Sequence, residues 1–307
     1  MRKEYENGYF EGELDERGNR VNGVMYYNTL DWYGGEWKHE KFHGYGTYGW
    51  VNGDKYEGYF KRGKRHGKCT YVRADGRKFV GSYKDDKIRK GVSTWSDGRK
   101  YEGGFVEGQP CGKGVYTWAN GDKYKGTFKD GVRHGKGVFI AANGKKYKGS
   151  YKADKQHGKG IYTWANGDRY KGTFKDGVRH GKGVCILANG GTYKGDYKAD
   201  KCHGKGICTW ADGRKYEGDF VEGSIEGRGK MYYTNGCSYV GEWVAGQKHG
   251  YGRETYANGC EYMGFYASNK RNGKGTMFFA DNTKCYGDWK DDKFLGESPW
   301  EFKEIRK

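Results

Sequence analysis

Aliphatic side chains are scarce in this 307-residue chain: leucine, isoleucine and valine together are far fewer than the 57 glycines. Because such side chains fill ordinary globular cores, their scarcity disfavours a conventional core. Low aliphatic content with a net charge of +18 is also typical of disorder. However, disordered chains are poor in aromatics, and this one has 29 tyrosines, 14 phenylalanines and 10 tryptophans against only 2 prolines. The composition therefore favours a folded protein that packs rings.

Signals for export or for membrane insertion are also missing. The first six residues, Met-Arg-Lys-Glu-Tyr-Glu, lack the apolar segment of a signal peptide, and no hydrophobic run approaches the length of a membrane-spanning helix. Arg2 excludes myristoylation, and the terminal Glu-Ile-Arg-Lys excludes prenylation. We therefore expect a cytoplasmic protein whose contact with any membrane is peripheral.

An aromatic-x-Gly-x-aromatic motif recurs with a period of 23 residues, as at Tyr124-Lys-Gly-Thr-Phe128 and Tyr147-Lys-Gly-Ser-Tyr151. Successive units begin at residues 10, 33, 56, 79, 101, 124, 147, 170, 193, 216, 239, 262 and 285, with one interval of 22. The sequence thus predicts about thirteen repeats in 10–291. Residues 1–9 and 292–307 are expected to be terminal caps or tails.

Within each unit, hydrophobicity alternates with a period of two, and turn residues occur at two fixed places, which predicts a β-hairpin. Most units end with an Asn-Gly or Asp-Gly dipeptide, such as Asn120-Gly121, and we expect a type I′ turn there. Alternation places Tyr124, Gly126 and Phe128 on one face, so rings cover the gaps that glycines leave. The predicted fold is all-β: an elongated, single-layer, twisted antiparallel sheet stabilised by cross-strand aromatic packing.

Tyr-x-Gly-x-Trp/Phe, followed by His-Gly-x-Gly-x-Tyr and Asn/Asp-Gly with this period, closely resembles the MORN (membrane occupation and recognition nexus) repeat across residues 10–307. The resemblance implies a single-layer sheet, sometimes with a short C-terminal capping helix, which 292–307 would supply. It also implies roles in cytoskeletal and ciliary scaffolds, membrane junctions, and accessory regions of lipid kinases and a lysine methyltransferase. Because an appended domain carries the catalysis in those enzymes, we expect neither enzymatic activity nor a cofactor here.

Three units depart from the pattern. Cys69 replaces a glycine, Ile88 and Arg89 replace His-Gly, and Cys111 replaces a histidine. These departures predict a local irregularity or a bend near residues 85–112.

Residues capable of metal or nucleotide chemistry follow the repeat instead of forming a separate site. Seven histidines occupy one repeat position: His43, His66, His134, His157, His180, His203 and His249. Equivalent positions in adjacent units lie roughly 10 Å apart by strand spacing, too far for shared zinc, so structural or turn-capping histidines are favoured. The eight cysteines form no Cys-x-x-Cys pair, and reduced thiols are expected. Gly44–Gly49 matches Gly-x-Gly-x-x-Gly but lacks the following helix that a nucleotide site needs.

Basic charge is concentrated between residues 124 and 206, which contain 19 lysines and arginines but only 6 aspartates and no glutamate. The lysines form three columns with the repeat period: Lys125, Lys148, Lys171 and Lys194; Lys129, Lys152, Lys175 and Lys198; and Lys113, Lys136, Lys159, Lys182 and Lys205. By alternation all three columns face away from the rings. Such a surface attracts anionic phospholipid, acidic protein tails or nucleic acid. The alternative is a solvated face that only prevents aggregation. Nucleic acid ranks last, because stacking rings lie on the opposite face.

Partly exposed rings are the other candidate site. The predicted groove residues are Tyr116, Trp118, Phe128, Tyr147, Tyr162, Trp164, Phe174 and Trp210. These rings either only stabilise the sheet or form a groove for a helix, a peptide or a second copy of the chain, and exposure favours the groove. We therefore expect a scaffold that docks a protein partner, or itself, near the cytoskeleton, a cilium or a membrane. The alternative is an anionic-lipid adaptor or a targeting subunit of a phosphoinositide kinase.

Overall fold

A computed structural model describes residues 1–297, and two compact units meet in sequence between Lys155 and Gln156. All regular structure in the described residues is β-strand. The strands of the first unit are β1 Arg2–Tyr5, β2 Gly8–Leu14, β3 Arg20–Tyr27, β4 Trp32–Lys38, β5 Lys41–Gly49, β6 Lys55–Lys61, β7 Lys64–Val72, β8 Lys78–Lys84, β9 Lys87–Thr94, β10 Lys100–Val106, β11 Gln109–Thr117, β12 Lys123–Lys129, β13 Val132–Ile140 and β14 Lys146–Lys152.

The unit boundary falls after the first residue of β15 Lys155–Thr163. The other strands of the second unit are β16 Arg169–Lys175, β17 Val178–Ile186, β18 Thr192–Lys198, β19 Lys201–Thr209, β20 Lys215–Val221, β21 Ser224–Tyr232, β22 Ser238–Val244, β23 Gln247–Thr255, β24 Glu261–Ala267, β25 Lys270–Phe278, β26 Lys284–Lys290 and β27 Lys293–Glu297. In both units each strand pairs antiparallel with the next strand in sequence, as β11 does with β12. The predicted antiparallel hairpin array is confirmed. Residues 1–297 include no helix of the length and apolarity that a membrane crossing requires.

The predicted C-terminal capping helix is not found where the structure describes that segment. Residues 293–297 form β27, which pairs with β26. Strand pairing provides the backbone hydrogen bonds there, so helix formation is excluded for these residues. The rest of the predicted cap, 298–307, lies outside the described residues.

The type I′ turn predicted at Asn-Gly occurs at the other turn of the repeat. At Asn-Gly, only the glycine has positive φ (Gly121, +87°), and the Gly121 N–H donates to the Trp118 carbonyl. This geometry belongs to a longer loop with a type I turn and a following left-handed glycine, so the type I′ prediction was wrong. Two consecutive positive φ values, the mark of a type I′ turn, occur instead at Asp130 and Gly131, which join β12 to β13.

A bulge interrupts each regular hairpin. Gly126 of β12 is opposite Gly137, but the next residue, Thr127, is opposite His134, so two residues of β13 protrude from the ladder. In the 22-residue unit, Ser82 is opposite Lys90 and Tyr83 is opposite Ile88, so only Arg89 protrudes. The irregularity predicted near 85–112 is therefore a one-residue deletion that the bulge accommodates.

A row of buried rings provides the core on one face of each unit. The Tyr124 ring lies over Gly126 on its own strand and over Gly137 on the next, where any Cβ would overlap it. Its hydroxyl donates to the Thr127 carbonyl at 3.1 Å. The Phe128 ring meets the Tyr124 ring edge-on, with centroids 5.2 Å apart, and Tyr101 of the preceding repeat contacts Phe128 in the same way at 5.1 Å. Rings of adjacent repeats thus interlock without a second layer.

Candidate functional site

The face that bears the rings, called the aromatic face below, has a buried layer and an outer layer. Phe128, Tyr147 and Phe174 belong to the buried layer, with 4%, 0% and 4% of their surfaces exposed. The prediction that these three rings line an open groove was wrong. Phe128 is covered because its ring is inserted edge-on between Tyr101 and Tyr124, and Phe174 meets Tyr170 edge-on in the same way. Tyr147, the first ring of its repeat, packs edge-on against Tyr151.

The other predicted groove residues form the outer layer and are half-buried. In the first unit, Tyr116 and Trp118 pack on each other with centroids 4.7 Å apart, and Trp118 contacts Phe139 at 5.7 Å. In the second unit, Tyr162 and Trp164 pair at 4.6 Å. These rings keep open surface that a partner's side chains can cover. Trp210 is also half-buried and carries the Arg214 guanidinium at 5.4 Å from its ring.

Arginines on the aromatic face were missed from the sequence. The Arg133 guanidinium lies 5.1 Å from the Tyr151 ring and 5.8 Å from the Trp118 ring, and Asp154 accepts a hydrogen bond from Arg133 Nε at 2.9 Å. Arg179 is placed in the same way in the second unit, with Asp200 as its partner. The outer aromatic layer therefore includes guanidinium groups, each paired with an aspartate, as well as apolar surface.

The three lysine columns lie on the opposite face, called the lysine face below. Lys125 is opposite Val115 and Val138 in the strand register, whereas Tyr124 beside it is opposite Tyr116 and Phe139. The side chains of all three columns are exposed. Two lysines of the third column are paired with carboxylates: Lys182 with Asp196 at 3.2 Å and Lys205 with Asp219 at 2.7 Å. The predicted opposition of rings and lysines holds within each unit.

Histidines of the shared repeat position also lie on the lysine face. His134 is opposite Thr127, and His157 Nδ1 is 3.5 Å from the Asp176 carboxylate. Among residues 1–297, no group of three or more His, Cys, Asp or Glu side chains is arranged to hold a metal ion. Gly44–Gly49 lies within β5, so the nucleotide-binding motif occurs in a strand.

A known family of repeat proteins matches the chain with the same 23-residue period. The MORN repeat model matches residues 33–55, 56–76, 101–123, 124–146, 147–169, 170–192, 193–213, 216–238, 239–261 and 262–284. The chain belongs to the MORN repeat family. The 22-residue unit beginning at residue 79 is left unmatched between two matched repeats, and the units beginning at residues 10 and 285 are also unmatched. A search of curated proteins returned no match.

Among solved structures, the MORN array is similar to the TCP10 domain of Danio rerio CPAP in complex with a peptide of Danio rerio STIL. The identity is 12%, the TM-score is 0.32, and the match covers 72% of this chain and 88% of the other. The SAS-4 TCP domain of Drosophila melanogaster, in complex with a proline-rich motif of Ana2, gives 13% identity and a TM-score of 0.27, covering 58% and 85%. At TM-scores this low, no functional conclusion follows.

Proposed function

We propose that this MORN array is a non-catalytic cytoplasmic scaffold that binds a helix or peptide of a protein partner on its aromatic face. The observation that supports this function is the outer aromatic layer. The buried tyrosines already stabilise the sheet through edge-on contacts and hydroxyl hydrogen bonds, as Tyr124 does. The half-buried Trp118 adds surface that this core does not require. Exposed tryptophan and tyrosine are the side chains most often found at the energetic centre of protein interfaces.

The chemistry of the outer layer favours an amphipathic partner. Apolar side chains of the partner would cover Tyr116 and Trp118 in the first unit, or Tyr162 and Trp164 in the second. Arg133 is held near the rings by Asp154 and retains donors for a carboxylate. A partner with alternating apolar and acidic side chains matches both features, and a second copy of the chain is a further candidate.

The test is to change Trp118 and Trp164 to alanine together and measure which proteins cross-link to the scaffold in its native cell. Loss of the cross-linked partners is expected, because each ring's contact area disappears while the buried rings remain. A matched control replaces Lys136 and Lys159 with alanine on the lysine face and is expected to retain them. Unchanged partners in the tryptophan variant, with a native circular dichroism spectrum, would refute the proposal. Loss of a dimer by light scattering would identify the partner as a second copy.

The lysine face supports a second candidate function, binding to anionic phospholipid at a membrane surface. Lys125 and Lys148 in the first unit, and Lys171 and Lys194 in the second, have no carboxylate partner within residues 1–297. Unpaired lysines near an anionic surface contribute about 1 kcal/mol each at physiological salt. Salt-sensitive sedimentation with phosphoinositide vesicles, lost when the four lysines are changed to glutamate, would support it. Equal sedimentation of the wild type with neutral and anionic vesicles would leave only the solvated-face interpretation.

A further inference from the structure

Two departures from the repeat coincide at one place on the aromatic face of the first unit. Ser93 of β9 occupies the position of Tyr71, Tyr116 and Phe139 in neighbouring repeats, opposite Phe79 and Tyr101. One repeat earlier, Arg73 occupies the position where Trp50, Trp95 and Trp118 occur. A ring is thus missing at Ser93, and a second ring is replaced by a cation at Arg73.

A cavity of about 480 Å³ occupies this place. Its apolar wall includes Phe79, Tyr83 and Ile88, and Ser93 also lines it. Ser93 is fully buried, and its hydroxyl has no hydrogen-bond partner in the part of the chain that the structure describes. A buried hydroxyl without a partner is costly, so a ligand that hydrogen-bonds to it gains affinity. The volume lies in the range of small-ligand sites, roughly 300–1,000 Å³.

Cations dominate the polar lining. The lining includes four basic residues and two acidic ones: Arg65, Arg73, Arg77 and Lys87, and Asp86 and Glu107. Arg65 Nε is paired with the Asp86 carboxylate at 3.1 Å. The Arg73 guanidinium lies 3.8 Å from the Asp75 carboxylate and 4.0 Å from that of Asp54, both outside the cavity lining. Within residues 1–297, the Arg77 guanidinium has no carboxylate partner, although the Arg77 backbone N–H donates to Asp75 Oδ1, and the guanidinium lies 4.7 Å from the Trp95 ring. The cavity therefore has an uncompensated guanidinium beside an apolar wall.

We propose that this cavity is a specificity pocket for a peptide side chain with an apolar body and an anionic end. The body replaces the ring missing at Ser93, and the anion accepts hydrogen bonds from the guanidinium groups, whose planar donors match carboxylate and phosphate oxygens. On a peptide, phosphotyrosine and glutamate both supply this chemistry, and phosphotyrosine fills more of the volume. The inference deepens the proposed protein-binding function, because the pocket opens on the aromatic face.

Isoleucine-methyl NMR tests the pocket without any partner protein. The chain has only seven isoleucines, of which Ile88 lines the cavity and Ile161 lies on the lysine face. The probes are acetyl-Ala-Ala-X-Ala-Ala-amide peptides in which X is phosphotyrosine, tyrosine, glutamate or glutamine. Phosphotyrosine, glutamate or both are expected to shift the Ile88 methyl with a Kd at least about tenfold lower than the neutral counterpart, while Ile161 is unchanged. Which acid binds tighter identifies the source of the anion.

Two variants check that the shift arises in the pocket. Ser93→Phe restores the ring that the neighbouring repeats carry, so it is expected to keep the fold and abolish binding. Arg77→Gln leaves the space open and is expected to remove the preference of acid over neutral peptide. Equal affinity for charged and neutral peptides, or an unchanged Ile88 shift in Ser93→Phe, would overturn the inference. Because no tryptophan of the outer layer is altered, failure here is distinguishable from failure of the scaffold proposal.

Discussion

Gly114 of β11 offers a direct test of how rings and glycines hold the sheet together. Its backbone is extended, and a Cβ placed there would lie 2.7 Å from both Cε2 and the hydroxyl oxygen of Tyr101. Tyr101 is fully buried. Its ring packs edge-on against the rings of Phe105 and Phe128, with centroids 5.1 Å apart in each pair. In Gly114→Ala, either the ring or the strand must therefore move.

The cost of the substitution can be bounded from these contacts. Overpacking a well-packed site costs about 1–3 kcal/mol when the surroundings adjust. Complete displacement of the ring forfeits about 1.5–3 kcal/mol of burial and about 0.5–1.5 kcal/mol for each of the two ring pairs. The protein takes the cheaper route, so we expect Gly114→Ala to lower the local free energy of unfolding by about 1–3 kcal/mol.

A double-mutant cycle separates steric overlap from an intrinsic effect of alanine. In a Tyr101→Leu background the overlapping atoms are gone, so Gly114→Ala is expected to cost less than about 1 kcal/mol. Hydrogen exchange of β10 and β11 amides measures the local free energy, which urea titration of a repeat array can blur. Val115→Ala, on the lysine face of the same strand, is the matched control. Equal costs of Gly114→Ala in both backgrounds would refute the view that the tyrosine ring requires glycine.

Two further predictions concern pH and turn geometry. Burial raises the pKa of a set of core tyrosines to about 12: Tyr101, Tyr124, Tyr147, Tyr170, Tyr216 and Tyr262. Unfolded tyrosine ionises near pH 10, so between pH 10 and 12 the unfolded state loses these protons while the folded state keeps them. The free energy of unfolding is therefore unaffected by these tyrosines below about pH 10 and falls as the pH rises towards 12. Urea midpoints that stay constant between pH 9 and 11 would contradict this. At the repeat-closing loop, Gly121→Ala is expected to lower the free energy of unfolding by about 1 kcal/mol, because Gly121 has a left-handed φ. Asn120→Ala is expected to lower it clearly less in the same urea titration. Equal sensitivity of both residues would indicate a type I′ turn instead.

The repeat, the hairpins and the opposition of rings and lysines could all be predicted because they depend on local alternation. The turn types could not be predicted from the Asn-Gly dipeptide alone, which suits both geometries. Loop length decides between them: five residues, 118–122, separate β11 from β12, too many for a two-residue turn. The two-residue connection between β12 and β13, Asp130-Gly131, satisfies the type I′ requirement instead.

Burial within the aromatic face was predictable only in part. Strand alternation places Phe128 and Trp118 on the same face, but it does not show that Phe128 is enclosed between tyrosines of two repeats while Trp118 stays half-open. Arg133 was missed for a related reason. The bulge shifts the register between Gly126 and Thr127, which places Arg133 opposite Phe128 on the aromatic face. Strict counting across a bulge cannot show this.

Positions that every repeat shares are already used to form the sheet, so selective binding must come from positions where repeats differ. In the first unit these positions include Arg73 and Ser93, where two rings are missing and a cationic cavity results. In the second unit, Glu254 occupies the equivalent of Ser93 and accepts hydrogen bonds from the Tyr266 hydroxyl at 3.0 Å and from the Lys248 ammonium. Its carboxylate therefore has partners within the chain, whereas the Ser93 hydroxyl has none among residues 1–297. Of Ser93 and Glu254, the residue in the first unit is the one whose polar group lacks a protein partner, and the proposed ligand would supply it.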